Sequence, residues 1–254
     1  MTTHYKTKAF VFKKNNVNES DRIFSVFTDD FGRLDIFAKA IRKTASKLRS
    51  GIDIFFMSEI KFIQGRSKKT LTDTSIIEKF NNIYQDSEKF KTANAIGEIL
   101  DNFIKGEEKD EEVFNLLSDV FCKLNDYNLK AKKCPLLYYY FLWNSLSIFG
   151  YLPEINKCNT CRGALNPYNI YFSDELGGVV CKKCLKQNIK AEKINSDVIK
   201  ILRLIFKKEW GILSKLKVEE SSQKLFKEVS DNYYFYTLSS HSFKNNLRPE
   251  LKVI

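Results

Sequence analysis

Two Cys-x-x-Cys pairs, Cys158-Asn159-Thr160-Cys161 and Cys181-Lys182-Lys183-Cys184, enclose nineteen residues and constrain this chain more than any other stretch. That spacing falls within the window expected of a four-cysteine zinc site. Each pair can form a tight knuckle that brings two thiolates to about 2.3 Å from one ion, and two knuckles close a tetrahedron. Between them, Tyr168 to Phe172 reads as a strand, Asp174 to Gly178 as a turn, and Val179-Val180 as the returning strand. This is the filler of a zinc ribbon. Four thiolates leave no position open for water or substrate, so such a site is structural. A pair of disulfides would use the same residues. A redox-active pair fits less well, because neither follows a strand in a βαβ pattern.

The first residues, Met1 to Lys6, contain no apolar signal region, and the chain has no apolar run of membrane-spanning length. The expectation is a cytoplasmic, nucleoid-associated protein with no membrane contact, in which Cys122 and Cys134 remain free core thiols. The 254 residues give room for two or three small domains. The formal net charge of +11 points to a polyanionic partner, although Lys-rich composition alone can produce such a total. Its distribution is more informative. Residues 1–80 carry 16 Lys+Arg and 9 Asp+Glu, residues 81–157 carry 9 and 12, and residues 158–254 carry 17 and 10. An acidic middle between two basic ends is placed charge, not a uniform bias.

Five short segments in the first eighty residues read as strands: Lys6 to Phe12, Ile23 to Phe27, Leu34 to Ala38, Ile52 to Ile63, and Leu71 to Ile77. The pattern fits a small closed barrel of the OB type, and strands alone leave a small sandwich open. The connection after the third strand favours the OB-fold. Lys39, Arg42, Lys43, Lys47 and Arg49 fall within eleven residues that contain no acid, and Arg66, Lys68 and Lys69 mark the next hairpin tip. Loops at an OB rim grip nucleic-acid backbones, with aromatic side chains nearby for base stacking. Phe37, Phe55, Phe56 and Phe62 are the candidates for stacking, and alternation places at least half of them in the core.

From Glu78 the apolar period becomes helical. Ile96, Ile99, Leu100 and Phe103 mark one helix, and Val113, Leu116, Leu117, Val120, Phe121 and Leu124 mark a second behind an acidic first turn. A third, Leu136 to Phe149, is apolar almost all round and reads as the centre of a bundle. Past the cysteines, Asn195 or Ser196 can cap a helix bearing Val198, Ile201, Leu202 and Ile205 that stops at Gly211, and a last helix spans roughly Glu219 to Leu238. The tail from Asn245 reads as extended. The expected architecture is α+β: an N-terminal OB-fold β-barrel over 1–78, a helical bundle over 79–157 and 191–254, and a four-cysteine zinc ribbon over 158–190 inserted into that bundle. No catalytic constellation is present. His4 and His241 stand alone, and there is no phosphate-binding loop of the GxxxxGK[ST] kind.

This order resembles the bacterial recombination mediator family RecO over essentially the whole length. The resemblance is most specific at Asn18-Glu19-Ser20-Asp21-Arg22-Ile23, at Phe31-Gly32-Arg33-Leu34, and at Ala38-Lys39-Ala40-Ile41-Arg42-Lys43. Ser46-Lys47-Leu48-Arg49 is similar to the family's basic loop, and Leu146 to Leu152 with Gly177-Gly178 to its ribbon surroundings. Ala40 departs from the glycine that the family pattern carries after Lys39. The resemblance implies a non-enzymatic protein that binds single- and double-stranded DNA and anneals complementary strands. It also implies cooperation with RecR to load RecA on strands covered by single-strand-binding protein. The implied DNA contacts are Arg33, Lys39, Arg42, Lys43, Lys47 and Arg49, with Lys14 and Lys68. Lys200, Arg203, Lys207 and Lys208 would receive the acidic, Phe-ended tail of single-strand-binding protein, and one Zn²⁺ would be structural. Two other classes remain open, a zinc-ribbon RNA-binding protein and a metal-dependent nuclease.

Overall fold

The computed structural model describes residues 3–185 and 190–246; residues 186–189 of the expected ribbon and the tail from Leu247 to Ile254 lie outside them. The chain divides into two compact units, Met1–Tyr138 and Tyr139–Ile254. In the first, β1 (His4–Asn16), β2 (Arg22–Thr28), β3 (Gly32–Ala38), β4 (Met57–Gln64) and β5 (Lys69–Glu78) form a closed barrel in the order β1-β2-β3-β5-β4. All ladders are antiparallel except the short parallel pairing of β3 with β5, and β1 with β4 closes the ring.

Alternation fills the interior: Ala9, Val11, Phe24, Val26, Leu34, Ile36, Ile60, Phe62 and Leu71 form one buried cluster. Burying these side chains contributes about 1.5–3 kcal/mol for each of the larger ones. β1 is buried on both faces. Phe10 points out of the barrel and packs on Phe121 of α3 (Glu111–Asn125), ring centroids 4.3 Å apart. Phe27 likewise meets Phe114. The helices therefore cover the outer face of two strands, and α2 (Ser87–Phe103) approaches β1 at Gly97, where an added Cβ would lie 3.0 Å from the Phe12 carbonyl. Gly32 is required twice over. Its φ is +62°, and a Cβ there would fall 2.0 Å from the Glu108 carbonyl oxygen.

The structure corrects several boundaries. The first strand runs past its expected end at Phe12 to Asn16, because a bulge after Val11 lets β1 continue pairing to Arg22. The fourth strand begins at Met57, not Ile52. The Asp53 carbonyl accepts the Phe56 N–H, and Phe55 sits in a left-handed conformation with its N–H bound to Val11. Cys122 is exposed on α3 and is no core thiol; Cys134 is buried, and burial pushes its thiol up to about 11.

After the short α1 (Asn81–Gln85), the acidic first turn of α3 is capped by Asp110, which accepts the Val113 N–H, and its six expected core residues are all buried. α4 (Cys134–Ile148) carries Trp143 into the centre of the second unit. The indole stacks on Tyr233 at 5.2 Å, and Nε1 donates to Ser230 Oγ at 2.9 Å. Tyr233 and Ser230 belong to α7 (Glu220–Asn246), and α5 (Ser196–Phe206), capped by Asn195, adds Ile201, Leu202 and Ile205. α5 ends at Phe206, before Gly211, because Lys208 turns left-handed, φ 57°, and α6 (Trp210–Leu213) follows as one short turn. A three-stranded sheet, in the order β7 (Gly178–Cys181), β6 (Ile170–Ser173), β8 (Glu192–Ile194), completes the unit. Its Phe172 reaches Trp143 and Tyr233. β8 escaped sequence reading because three residues carry no period.

Candidate nucleic-acid interface and metal centre

The basic loop leaves β3 through Ala40, held in a left-handed conformation, φ 53°. Such a backbone costs a residue with a Cβ about 1 kcal/mol that glycine would not incur. The strain is held by a scaffold that the sequence only hinted at. Asn18 Oδ1 accepts the N–H groups of Ser20 and Asp21, Asp21 Oδ1 accepts the Ala40 N–H at 2.7 Å, and the Asn18 carbonyl accepts from Arg42 Nη1 at 2.8 Å. The Ala40 N–H, with the Asn18 side chain, holds the Asp21 carboxyl below its usual range. The Asx-turn spacing of Asn18-Glu19-Ser20-Asp21 was the available signal.

Beyond Ala40, Ile41 and Ile52 anchor the loop in the barrel core, and Leu48 packs against it. Successive turns, Lys43 to Ala40, Ser46 to Lys43, Arg49 to Ser46 and Gly51 to Leu48, compact the segment between. Lys39, Arg42, Lys43, Lys47 and Arg49 all face solvent, and none forms an ion pair among the described residues. Five unneutralised cations on an anchored loop are chemically able to hold a polyanion such as a phosphate backbone.

The other expected contacts divide. Lys68 is exposed at the hairpin tip, with Nζ 3.5 Å from the Phe37 ring centroid. Lys14 pairs with Asp53 at 2.6 Å. Arg33 leaves the set. Its guanidinium donates to Asp101 Oδ1 at 2.7 Å and to the Ile104 carbonyl at 2.7 Å, lies over Phe12, and is 15% exposed. It ties the end of α2 to the barrel. Arg33→Ala is expected to lower stability by about 2 kcal/mol, as loss of a charged hydrogen-bond partner does, with DNA affinity of the folded protein changing less than about twofold. Denaturant melts alongside binding isotherms check this. Of the four aromatic candidates, Phe55 and Phe62 are core, while Phe37 and Phe56 are half-buried.

In the second unit the four cysteines converge. Cys158 and Cys161 sit on a turn closed by Arg162 N–H to the Cys158 carbonyl and Cys158 N–H to the Gly163 carbonyl, with Arg162 left-handed at φ 59°. Cys181 ends β7, and Cys184 follows on a single 3₁₀ turn. All four sulfurs lie within 4.8 Å of one another, and Cys161 and Cys181 sulfurs are 3.9 Å apart. A tetrahedral zinc–sulfur site needs about 3.8 Å between sulfurs, whereas a disulfide needs about 2.05 Å. Burial disfavours a Cys158 thiolate, but the N–H groups of Cys161, Cys181 and Thr160 outweigh it and bring the thiol down to about 6. The donor set and spacing fit one soft, four-coordinate metal ion.

The expected partner cations are on or just after α5. Lys200 pairs with Asp197, and Arg203 Nε donates to Asn156. Lys207 and Lys208 are exposed and form no ion pair among the described residues. Sequence reading missed the surface beside them, a shallow groove of about 600 Å³ lined by Glu209, Gly211, Ile212, Lys215, Leu216 and Lys217, where Ile212 is 57% exposed. Its only sequence signal was an apolar pair outside the helical period. Among the described residues no helix is long and apolar enough to cross a membrane.

Two family models meet these units: "Recombination protein O N terminal" matches residues 1–80 and "Recombination protein O C terminal" matches residues 84–246. The chain belongs to the RecO family. A DNA repair protein RecO of Dehalococcoides mccartyi is 31% identical over 214 residues, covering 84% of this chain and 83% of that protein. The RecO of Caldanaerobacter subterraneus subsp. tengcongensis is 25% identical over 246 residues, covering 95% and 98%. That of a Thermoanaerobacter species is 26% identical over 258 residues, covering 96% and 98%. The RecO N-terminal match spans the barrel with its basic loop, and the C-terminal match spans the helices and the cysteine cluster.

Proposed function

We propose that this chain is a non-enzymatic recombination mediator that binds single- and double-stranded DNA through the barrel. It anneals complementary strands and, with RecR, helps load RecA on strands covered by single-strand-binding protein. The observation that carries the reading is the anchored loop of Lys39, Arg42, Lys43, Lys47 and Arg49, exposed and without carboxylate partners. The closed five-strand barrel, with β3 pairing to β5, supports the OB reading, whose rim loops follow nucleic-acid backbones. We read the cysteine cluster as one structural zinc in a ribbon. Lys207 and Lys208, with the Ile212 groove next to them in sequence, are the proposed seat of the acidic, Phe-ended tail of single-strand-binding protein.

Annealing needs two phosphate backbones held together with their charge screened. The chain has no nucleotide-binding loop, so base pairing itself must supply the free energy. The expected result is that the full chain accelerates annealing of complementary strands precoated with single-strand-binding protein, with no nucleotide present. A strict ATP requirement, or a preference for structured RNA over DNA in competition, would replace this reading.

A further inference from the structure

Along β3 the side chains alternate between core and surface, and Arg33, Asp35 and Phe37 point outward. A phenylalanine is out of place among them. Phe37 is half-buried beside Ile23 on β2 and Thr70 on β5, and it forms one wall of a cleft of about 360 Å³ with Asp35, Gln64, Lys68, Lys69 and Glu107. The Lys68 ammonium lies over its ring, 3.5 Å from the centroid. Lys68 forms no ion pair among the described residues, but it lies near enough to Asp21 to favour that carboxylate. Asp21 holds the root of the basic loop through Ala40. Ring, ammonium and phosphate-gripping loop are therefore neighbours.

The geometry points to Phe37 as a base-stacking platform for single-stranded nucleic acid, capped in the free protein by Lys68, which moves to a phosphate when a base takes its place. This rests on the reading of the barrel as a DNA-binding element and deepens it. An ammonium and a nucleobase compete for the same π-face, and base stacking is the stronger contact at an exposed site. The displaced ammonium gains a phosphate, a better partner than a ring. The lining of the cleft carries both signs: Asp35, held by Ser25 Oγ, and Glu107, paired with Lys69, stand beside Arg33, Lys68 and Lys105, so a base can take the ring face while its phosphate meets a cation at the cleft's edge. In a duplex the bases already stack on one another and cannot reach the ring. Phe37 thus favours single strands, while the loop cations do not discriminate.

The test compares the full chain on a thymidine oligonucleotide and on an abasic oligonucleotide of equal length, which keeps every phosphate and removes the bases. The wild type should prefer the thymidine strand by about tenfold, the value of one stacked base. Phe37→Leu, an outward apolar substitution, should lose most of that preference, leaving abasic binding and its salt slope unchanged. Phe37→Trp should keep the preference. Failure of the wild type to bind either strand would overturn the DNA-binding reading. Equal wild-type binding to both strands, or an undiminished preference in Phe37→Leu, would overturn the stacking platform alone. Matching thermal melts for the three proteins confirm that the comparison concerns the site.

Discussion

Replacing Arg42, Lys43, Lys47 and Arg49 together with alanine should weaken single-strand binding by about 10²–10³-fold at roughly 0.1 M salt. Each phosphate contact releases counterions and contributes roughly 0.7 to the slope of log K against log salt, so four lost contacts should flatten it by about 2.8. The four side chains are exposed, and the loop is held by Ile41, Leu48 and Ile52 and by Asp21 and Asn18, none of which is altered. Of these bonds only the one from the Arg42 guanidinium to the Asn18 carbonyl is removed, so the melting temperature should move little. The control set must avoid Lys89, which is 4% exposed with its ammonium donating to the Asp126 carbonyl. Lys91, Lys109, Lys130 and Lys132 are exposed in the acidic middle of the chain, and their replacement should leave affinity and slope nearly unchanged. Equal losses from both sets would mean that diffuse charge binds DNA and that the loop is not a site. Isotherms at four salt concentrations separate these outcomes.

The parts of the molecule that sequence revealed are those with a strict period or spacing. The α3 face and the two cysteine pairs are of that kind, because helical geometry and a tetrahedron impose them on the residues directly. Barrel strands showed themselves only where one face was wet. β1 did not alternate cleanly, because Phe10 and Phe12 are covered by helices while Ala9 and Val11 fill the barrel. Arg33 was assigned to DNA because motif position and charge cannot reveal that Asp101 and the Ile104 carbonyl, about seventy residues later, consume its donors. The same limit hid the support beneath Ala40. Asn18 and Asp21 were visible as residues, but their reach across to the loop is a tertiary fact. Long-range pairing between individual side chains leaves no period to read.

Metal analysis of freshly purified, reduced protein should find one zinc per chain, and Cys161→Ser should abolish it. The sheet around the site is too small to hold itself, with strands of four, four and three residues. Structural zinc supplies folding free energy directly in such modules. Here the consequence should extend beyond the knuckles. Phe172 of β6 packs on Trp143 and Tyr233, so a loosened ribbon takes a wall from the core of the second unit. The melting temperature of that unit should fall by about 10 °C or more, at roughly 4–8 °C per kcal/mol for a domain of this size. Trp143 is fully buried against Tyr233 and should report the loss as a red-shifted emission. DNA affinity should change little, and the reason is electrostatic. A Zn²⁺ ion with four thiolates carries a net charge of −2, and the exposed Lys157, Lys182 and Lys183 flank the ligands in sequence as its counter-charges, while Arg162 pairs with Glu154 at 3.3 Å. Losing the ion and protonating the remaining cysteines takes the site from −2 to neutral and removes no basic side chain, so the ribbon becomes no less attractive to phosphate. Absence of zinc in the reduced protein, together with an unchanged tryptophan spectrum in Cys161→Ser, would show that the cluster holds no structural metal.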